Sequence, residues 1–337
     1  MSALSSDRLA EPVLIAGLGS IGRRHFNNLR ALGCTNFVFY RTYQSTMADP
    51  ETGAWPSTSD LQEALSHRPQ IAIISNPTSL HVEVARAAAE SGCPLFIEKP
   101  LCNSLGHCHE LADLAAQRGL TTMIGCQFRF HPLLISLRNQ LGSGRLGKAL
   151  KAHAEWGEFL PEWHPWEDHR KSYSSRPELG GGVVLTLIHP IDYLYWLFGP
   201  VRDVDAEIRD EPSLQTATED DWAEIDLQFS GGQVARVHLD YVQKPPVHRL
   251  LVSGERGQAN LDFHAGTLTW ESPDGGAQTE RVPDGFERNT MFVDEMKHFL
   301  NAVHQRRASA IPIEEGIDVL DIALKAKHNA QLKTRRA

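Results

Sequence analysis

Two side chains stand where proton chemistry would need them. Lys99 directly follows the run Leu95-Phe96-Ile97-Glu98, and the carboxyl end of a parallel strand opens onto a ligand crevice. A lysine there can bind a hydroxyl or carbonyl oxygen, or relay the proton that accompanies hydride transfer. His189 follows Gly180-Gly181-Gly182-Val183-Val184-Leu185-Thr186-Leu187-Ile188, with Asp192 three residues further on. On a helix that spacing sets imidazole and carboxylate on adjoining faces. A group that exchanges protons near neutral pH could then be oriented by a fixed negative charge.

The element that would bring a redox partner to these groups is Val13-Leu14-Ile15-Ala16-Gly17-Leu18-Gly19-Ser20-Ile21-Gly22, an apolar run turning through three glycines into a helix-forming segment. Gly17 permits the tight bend, Gly19 lets the backbone approach a pyrophosphate, and Gly22 lets the helix pack on the strand. The N–H groups of Ser20, Ile21 and Gly22 would face the phosphates. At the end of the next apolar run, Phe37-Val38-Phe39-Tyr40, an NAD site carries an acidic residue for the ribose 2′-hydroxyl. Here Arg41 stands instead, with Thr42, Ser45 and Thr46 nearby. A guanidinium can clamp a 2′-phosphate and stack on adenine, so NADP is expected over NAD. A third segment, Trp163-His164-Pro165-Trp166-Glu167-Asp168-His169-Arg170-Lys171-Ser172-Tyr173, has neither helical nor strand period. Its aromatic faces suit the apolar side of a sugar ring, while His164, Arg170 and Tyr173 suit hydroxyls, a carboxylate or a phosphate. Arg129 and His131 could face the same crevice.

In combination, Gly17-x-Gly19-x-x-Gly22-Arg23-Arg24-His25, Asn76-Pro77-Thr78-Ser79-Leu80-His81, Glu98-Lys99-Pro100 and the later Gly-Gly-Gly…His…Asp helix resemble the glucose-fructose oxidoreductase/inositol dehydrogenase/MocA family over nearly the whole chain. The resemblance implies an NAD(P)-dependent oxidoreductase of sugars, cyclitols or related polyols, with cofactor at the strand ends and substrate between two domains. It implies Lys99 and His189 as the catalytic pair, His189 being the acid/base at the substrate hydroxyl, and Asn76, Pro77, His81 and Glu98 on the cofactor side. Arg129, His164, Trp166, Arg170, Tyr173, Thr186 and Asp192 are the expected substrate contacts. It extends to a subset associated with surface-polysaccharide or nonulosonic-acid sugar biosynthesis. The chain departs from the family at Thr186, where an aspartate is common a turn before the histidine. Threonine can hold a hydrogen bond but carries no charge, so His189 would work with Lys99 alone or with Asp192. That departure keeps two other readings open: a lyase or epimerase that regenerates its cofactor each turnover, and a catalytically silent dinucleotide sensor or scaffold.

The elements that must position these groups follow from patterning. Apolar runs at 13–16, 37–40, 71–75, 95–97 and 121–125 alternate with helical segments at 21–32, 61–65 and 82–89, with Gly33 and Gly92 at C-cap positions. This predicts a Rossmann, doubly wound parallel sheet over 1–128. Beyond it, 129–337 is expected to form an α+β domain on a largely antiparallel sheet. That domain should hold a helix at 133–141, a hairpin pairing 223–229 with 235–241, strands at 247–253, 258–263 and 267–271, an exposed loop over 272–288 and two closing helices. The first closing helix carries Phe292, Met296, Phe299, Leu300 and Val303 on one side.

A length of 337 residues with 41% apolar composition suits two packed domains. The net charge of −9 repels nucleic acid and anionic membranes, so neither is an expected partner. The first twelve residues, with Asp7, Arg8 and Glu11, lack a targeting pattern, so a soluble cytoplasmic protein is expected. Five cysteines suit a reduced chain, and Cys102, His107, Cys108 and His109 lack paired zinc-ligand spacing, so no metal is expected. The half-buried second sheet, whose exposed face would otherwise show apolar surface, predicts a homodimer or homotetramer.

Overall fold

The computed structural model describes residues 10–43, 52–164 and 167–334; Ser45, Thr46, Pro165 and Trp166 lie outside the described residues. Chain contacts divide the protein into two units. The first takes the chain up to Cys126, Glu178–Gly180 and Phe292–Leu320; the second takes Gln127–Pro177, Gly181–Met291 and the chain from Asp321. A single cut near residue 128 therefore does not describe this chain, because the C-terminal part returns to the first unit.

The first unit holds a six-stranded parallel sheet of β1 (Val13–Ala16), β2 (Phe37–Tyr40), β3 (Ser57–Thr58), β4 (Ile71–Ile74), β5 (Leu95–Glu98) and β6 (Thr122–Gly125), in the order β3-β2-β1-β4-β5-β6. All residues of β1, β4, β5 and β6 are buried, which is why they read as unbroken apolar runs. Helices α1 (Ser20–Ala31), α2 (Leu61–Ser66), α3 (His81–Glu90) and α4 (Cys108–Gln117) connect the strands. Asp60 caps α2 by accepting from Gln62 N and Glu63 N. The strand order reverses between β1 and β4, so their carboxyl ends open the crevice where ligands of such sheets bind.

The second unit is built on an eight-stranded sheet. After α5 (Pro132–Gly142) come β7 (Ala149–Phe159), the short helix α6 (Val183–Thr186), α7 (His189–Phe198), β8 (Val201–Arg209), β9 (Trp222–Phe229), β10 (Val234–Asp240), β11 (Val242–Gly254), β12 (Gly257–Asp262), β13 (Thr267–Glu271) and β14 (Ala277–Arg281). The order is β14-β13-β12-β11-β7-β10-β9-β8, antiparallel except where β10 runs parallel to β7. One face is a ladder of apolar neighbours: Val237 lies beside Ile225 and Ala154, and Leu239 beside Ala223 and Trp156. The segment expected as an exposed loop includes β14, which pairs along β13 while staying exposed.

The open face of this sheet corrects another expectation. It is polar: Arg236 Nε donates to Asp226 Oδ1 at 2.8 Å, and His238 Nδ1 lies 2.7 Å from Glu224 Oε1. Alternation put apolar side chains on one face and cross-strand ion pairs, with the exposed Val234, on the other.

Two helices close the chain, α8 (Arg288–His304) and α9 (Ile313–Thr334). Within the first unit, Phe299 packs edge-on against Phe96 at 5.6 Å and Phe292 lies 6.3 Å from His25. The segment between the helices follows the β6 edge: Ile124 N donates to Ile311 O, and Ile313 N to Thr122 Oγ1. No single helix among the described residues is long and apolar enough to cross a membrane.

Candidate active site

In the first unit the glycine turn is a steric necessity at two positions. Gly17 has φ +91°, and a Cβ there would sit 2.6 Å from Asn76 N; a Cβ on Gly22 would come 2.0 Å from Gly17 O. Ser75 Oγ, at the end of β4, lies 3.0 Å from both Ala16 O and Gly17 O and ties the turn to the neighbouring strand. Gly19 differs in kind, since nothing lies within 4 Å of its would-be Cβ. It is the N-cap of α1, whose first turn has no side-chain cap. Asn76, whose backbone N faces Gly17, carries a buried Oδ1 without a hydrogen-bond partner. This set fits a dinucleotide: N–H donors and a helix N-terminus for the pyrophosphate, and a carboxamide acceptor for a ribose hydroxyl.

Arg41 is 8% exposed, at the end of β2, with its guanidinium 4.3 Å over the Tyr43 ring. Tyr43 takes a left-handed φ of 59° and is half exposed, and its hydroxyl reaches Ser57. Thr42 is exposed beside them. The stacked Arg41–Tyr43 pair is a platform that the expectation for Arg41 alone did not contain.

Glu98 and His81 have partners that recast their expected cofactor contacts. Glu98 is 6% exposed; its Oε1 lies 2.6 Å from His25 Nε2, and its Oε2 accepts from Lys99 N at 3.2 Å. The carboxylate thus braces the backbone that presents Lys99. His81 is 1% exposed, with Nδ1 3.1 Å from Pro100 O and Nε2 2.9 Å from Asn76 O. Burial pushes its pKa down while the two carbonyls push it back up, and both ring nitrogens are turned to the Asn76-Pro77 turn and the peptide after Lys99, leaving no free edge for ribose.

In the second unit the glycine loop does not run into one helix. The chain breaks at Leu187–Ile188 between α6 and α7, and His189 opens α7 ahead of Pro190. Gly182 has φ +104°, and a Cβ there would lie 1.9 Å from Asp220 Oδ1. The buried Asp220 carboxylate accepts from Val184 N in the first turn of α6 and pairs with Lys327 Nζ at 2.9 Å. Burial pushes its pKa up to about 6 despite that lysine.

His189, 1% exposed, stacks on Trp156 with centroids 5.5 Å apart and meets the Phe128 ring edge-on at 4.8 Å. Trp156 stacks in turn on His248 at 4.3 Å. Thr186 and Tyr241 are both buried, and burial raises the pKa of the Tyr241 hydroxyl well above the ordinary value. Ser75, His25, Trp156, Tyr241, His248 and Asp220 were not singled out for roles in the sequence. His25 did stand inside the glycine-turn motif string, the one local signal among them.

Asp192 corrects an expectation. Its carboxylate is taken by Arg129, with Nε 3.1 Å from both oxygens and a terminal nitrogen 2.7 Å from Oδ1, in a pair whose side chains are at most 2% exposed. Arg129 reaches α7 from the 3-10 turn Gln127–Phe130, so Asp192 fixes that turn to the helix. His131 packs edge-on against Phe263 and Phe286, and burial pushes its pKa down to about 4. In the aromatic loop, Arg170 forks onto Asp168 at 2.7–3.1 Å and holds that carboxyl well below the usual range. His164 Nδ1 lies 2.6 Å from Glu167, and Tyr173 is half buried. Among the described residues no group of three or more His, Cys, Asp or Glu side chains is placed to hold a metal ion.

Models of two families match this chain: an oxidoreductase family with an NAD-binding Rossmann fold over residues 12–126, and the GFO/IDH/MocA C-terminal domain over 135–260. The chain belongs to the Gfo/Idh/MocA oxidoreductase family. Within it, the D-xylose dehydrogenase of Paenarthrobacter nicotinovorans is 25% identical over 300 residues, covering 78% of this chain and 77% of that protein. The 2,7-anhydro-N-acetylneuraminate hydratase of Mediterraneibacter gnavus is 26% identical over 196 residues, covering 57% of this chain and half of the hydratase. Levoglucosan dehydrogenase, solved with NADH and levoglucosan, superposes with a TM-score of 0.84 at 18% identity over 96% of this chain and 97% of that one, a likeness of fold.

Proposed function

We propose that this member of the family is an NADP-preferring, cytoplasmic dehydrogenase or reductase of a secondary alcohol or ketone on a sugar, cyclitol or nucleotide-sugar. The observation that carries the reading is the glycine turn: Gly17 packed against the Asn76 backbone, Gly22 against Gly17 O, and a helix N-terminus at Gly19 that no side chain caps and whose Cβ position is empty. When bound, a nicotinamide supplies the hydride acceptor or donor at C4. Lys99, on backbone braced by Glu98, binds the substrate oxygen and holds its proton. His189, held against Trp156, is the acid/base that the family resemblance assigns to the substrate hydroxyl. Arg41, stacked on Tyr43, holds the adenosine 2′-phosphate. Thr186 and Tyr241 supply hydroxyls where the family commonly has a carboxylate, so they can orient a substrate hydroxyl but add no charge. The dehydrogenase names among the relatives support the substrate class. Self-association as a dimer or tetramer belongs to this reading on family resemblance alone; sedimentation showing only monomer removes it.

A second reading, a lyase-type enzyme that regenerates its cofactor each turnover, is favoured by the hydratase among the relatives and by the uncharged Thr186. One experiment separates the two: turnover of aldoses, inositols and nucleotide-sugars with NADP(H) and NAD(H), following nicotinamide absorbance and product by mass. Net reduction or oxidation with NADP(H) is expected. Product formation without net nucleotide change selects the second reading, and a strong preference for NAD defeats the role given to Arg41.

A further inference from the structure

On the apolar face of β7 the side chains run Ala152, Ala154, Trp156, Glu158, so a buried row ends in a half-buried carboxylate. Glu158 Oε1 accepts from the Trp156 indole N–H at 2.7 Å. Two imidazoles stack on that indole: His248, its cross-strand neighbour on β11, at 4.3 Å with planes 6° apart, and His189 at 5.5 Å with planes 19° apart. Phe128 meets all three rings edge-on at 4.8–5.4 Å. Burial pushes the His248 pKa well below the ordinary value, so that ring is a neutral packing partner. All of these residues belong to the second unit.

We propose that Glu158 is a positioning residue for His189: its carboxylate holds the indole N–H of Trp156, and the indole holds the imidazole at the start of α7.

Ring contacts hold the plane of an indole but leave its edge free to shift, whereas a hydrogen bond at the N–H fixes where that edge points. With a carboxylate as acceptor the bond is charge-assisted, stronger than one to a neutral oxygen. His189 stands at the first position of α7, directly after the break at Leu187–Ile188, and no side chain caps that helix. Thr186, a turn earlier, offers no charge, and the Asp192 carboxylate is taken by Arg129. Glu158 therefore supplies from β7, one ring away, an ordering carboxylate that the segment before His189 lacks. An acid/base group displaced by about 1 Å can lose on the order of 10²-fold in rate. The effect on turnover rests on the proposed function; the carboxylate–indole–imidazole contact does not.

The test compares the full-length parent with Glu158→Leu, Glu158→Gln, Trp156→Phe and the Glu158→Leu/Trp156→Phe double variant. Labelling histidine at Cε1 gives a His189 resonance, assigned by its loss in His189→Asn and displaced by the indole ring current. Glu158→Leu should move that resonance, and Glu158→Gln, which keeps an acceptor, should return it toward the parent position. In turnover, Glu158→Leu should lower kcat by roughly tenfold with KM and NADPH affinity within about twofold, and Glu158→Gln should recover most of the loss. In the Trp156→Phe background, which has no N–H to hold, the same substitution should cost little more. A resonance that Glu158→Leu leaves in place overturns the proposal. So does a kcat loss that persists undiminished without the indole, or one replaced by a rise in KM, since Glu158 would then meet the substrate itself. A parent that turns over no sugar defeats the dehydrogenase reading, and the resonance then decides the positioning alone.

Discussion

Lys99 and His189 are the two groups given proton roles in the proposed reaction, and each is held within its own unit. The backbone of Lys99 is held by Glu98, itself held by His25, while His189 is clamped by Trp156 and Phe128. Replacing Lys99 with Ala removes the group that meets the substrate oxygen, so kcat should fall about 10²–10⁴-fold while NADPH affinity, measured by fluorescence titration, changes little. His189→Asn should lower kcat by a comparable factor while leaving NADPH affinity nearly unchanged. If either variant keeps parent turnover, that residue is not in the proton path. At Arg41 the expectation is selective. Arg41→Ala should weaken NADPH by roughly tenfold or more, since charge-assisted hydrogen bonds contribute about 1.5–3 kcal/mol each, and should leave NADH nearly unchanged. Equal loss for both nucleotides would reduce Arg41 to a stacking partner of adenine.

The short helix α6 shows how an element can be held by a charge that it would fold more stably without. Asp220 sits under Gly182, meets Val184 N and faces Lys327, and its pKa is raised to about 6 by burial. A carboxyl whose folded value lies above its unfolded one favours folding fully below the unfolded value, near 3.8. That advantage is lost as pH rises through about 6. The sign predicts a stability loss of up to ~3 kcal/mol between pH 4 and 7 from this one group. Asp220→Asn keeps an acceptor for Val184 N and removes the charge. Its stability relative to the parent, from urea unfolding at pH 5 and pH 8, should therefore improve toward the higher pH. Parallel curves for the two proteins would show that Asp220 does not titrate in this window.

Across the whole molecule, legibility followed burial. The main strands of the first sheet are apolar on both faces and show in the sequence as unbroken runs; the hairpin of β9 and β10 shows as alternation. Strand β14 was invisible because Ala-Gln-Thr-Glu-Arg buries no face and is held by its neighbour's backbone. The site divided the same way. The glycine turn and Lys99 sit next to local signals, whereas Arg129–Asp192 and Trp156–His189 join residues far apart in sequence, and only folding brings them together. The largest departure is the return of the C-terminal part to the first unit, where Phe299 packs on Phe96 and 309–313 follow the β6 edge. The dinucleotide unit should then fail when that part is removed. A fragment ending at residue 128 exposes Phe96 and the β6 edge, and Phe299→Ala in the full chain should cost about 3–5 kcal/mol through the cavity it leaves. Calorimetry with and without NADPH checks both: the fragment should show no NADPH-stabilised transition, and the Phe299→Ala chain should melt lower yet still be stabilised by NADPH. A fragment that binds NADPH with the affinity of the whole chain would mean that residues 1–128 carry their own complete core.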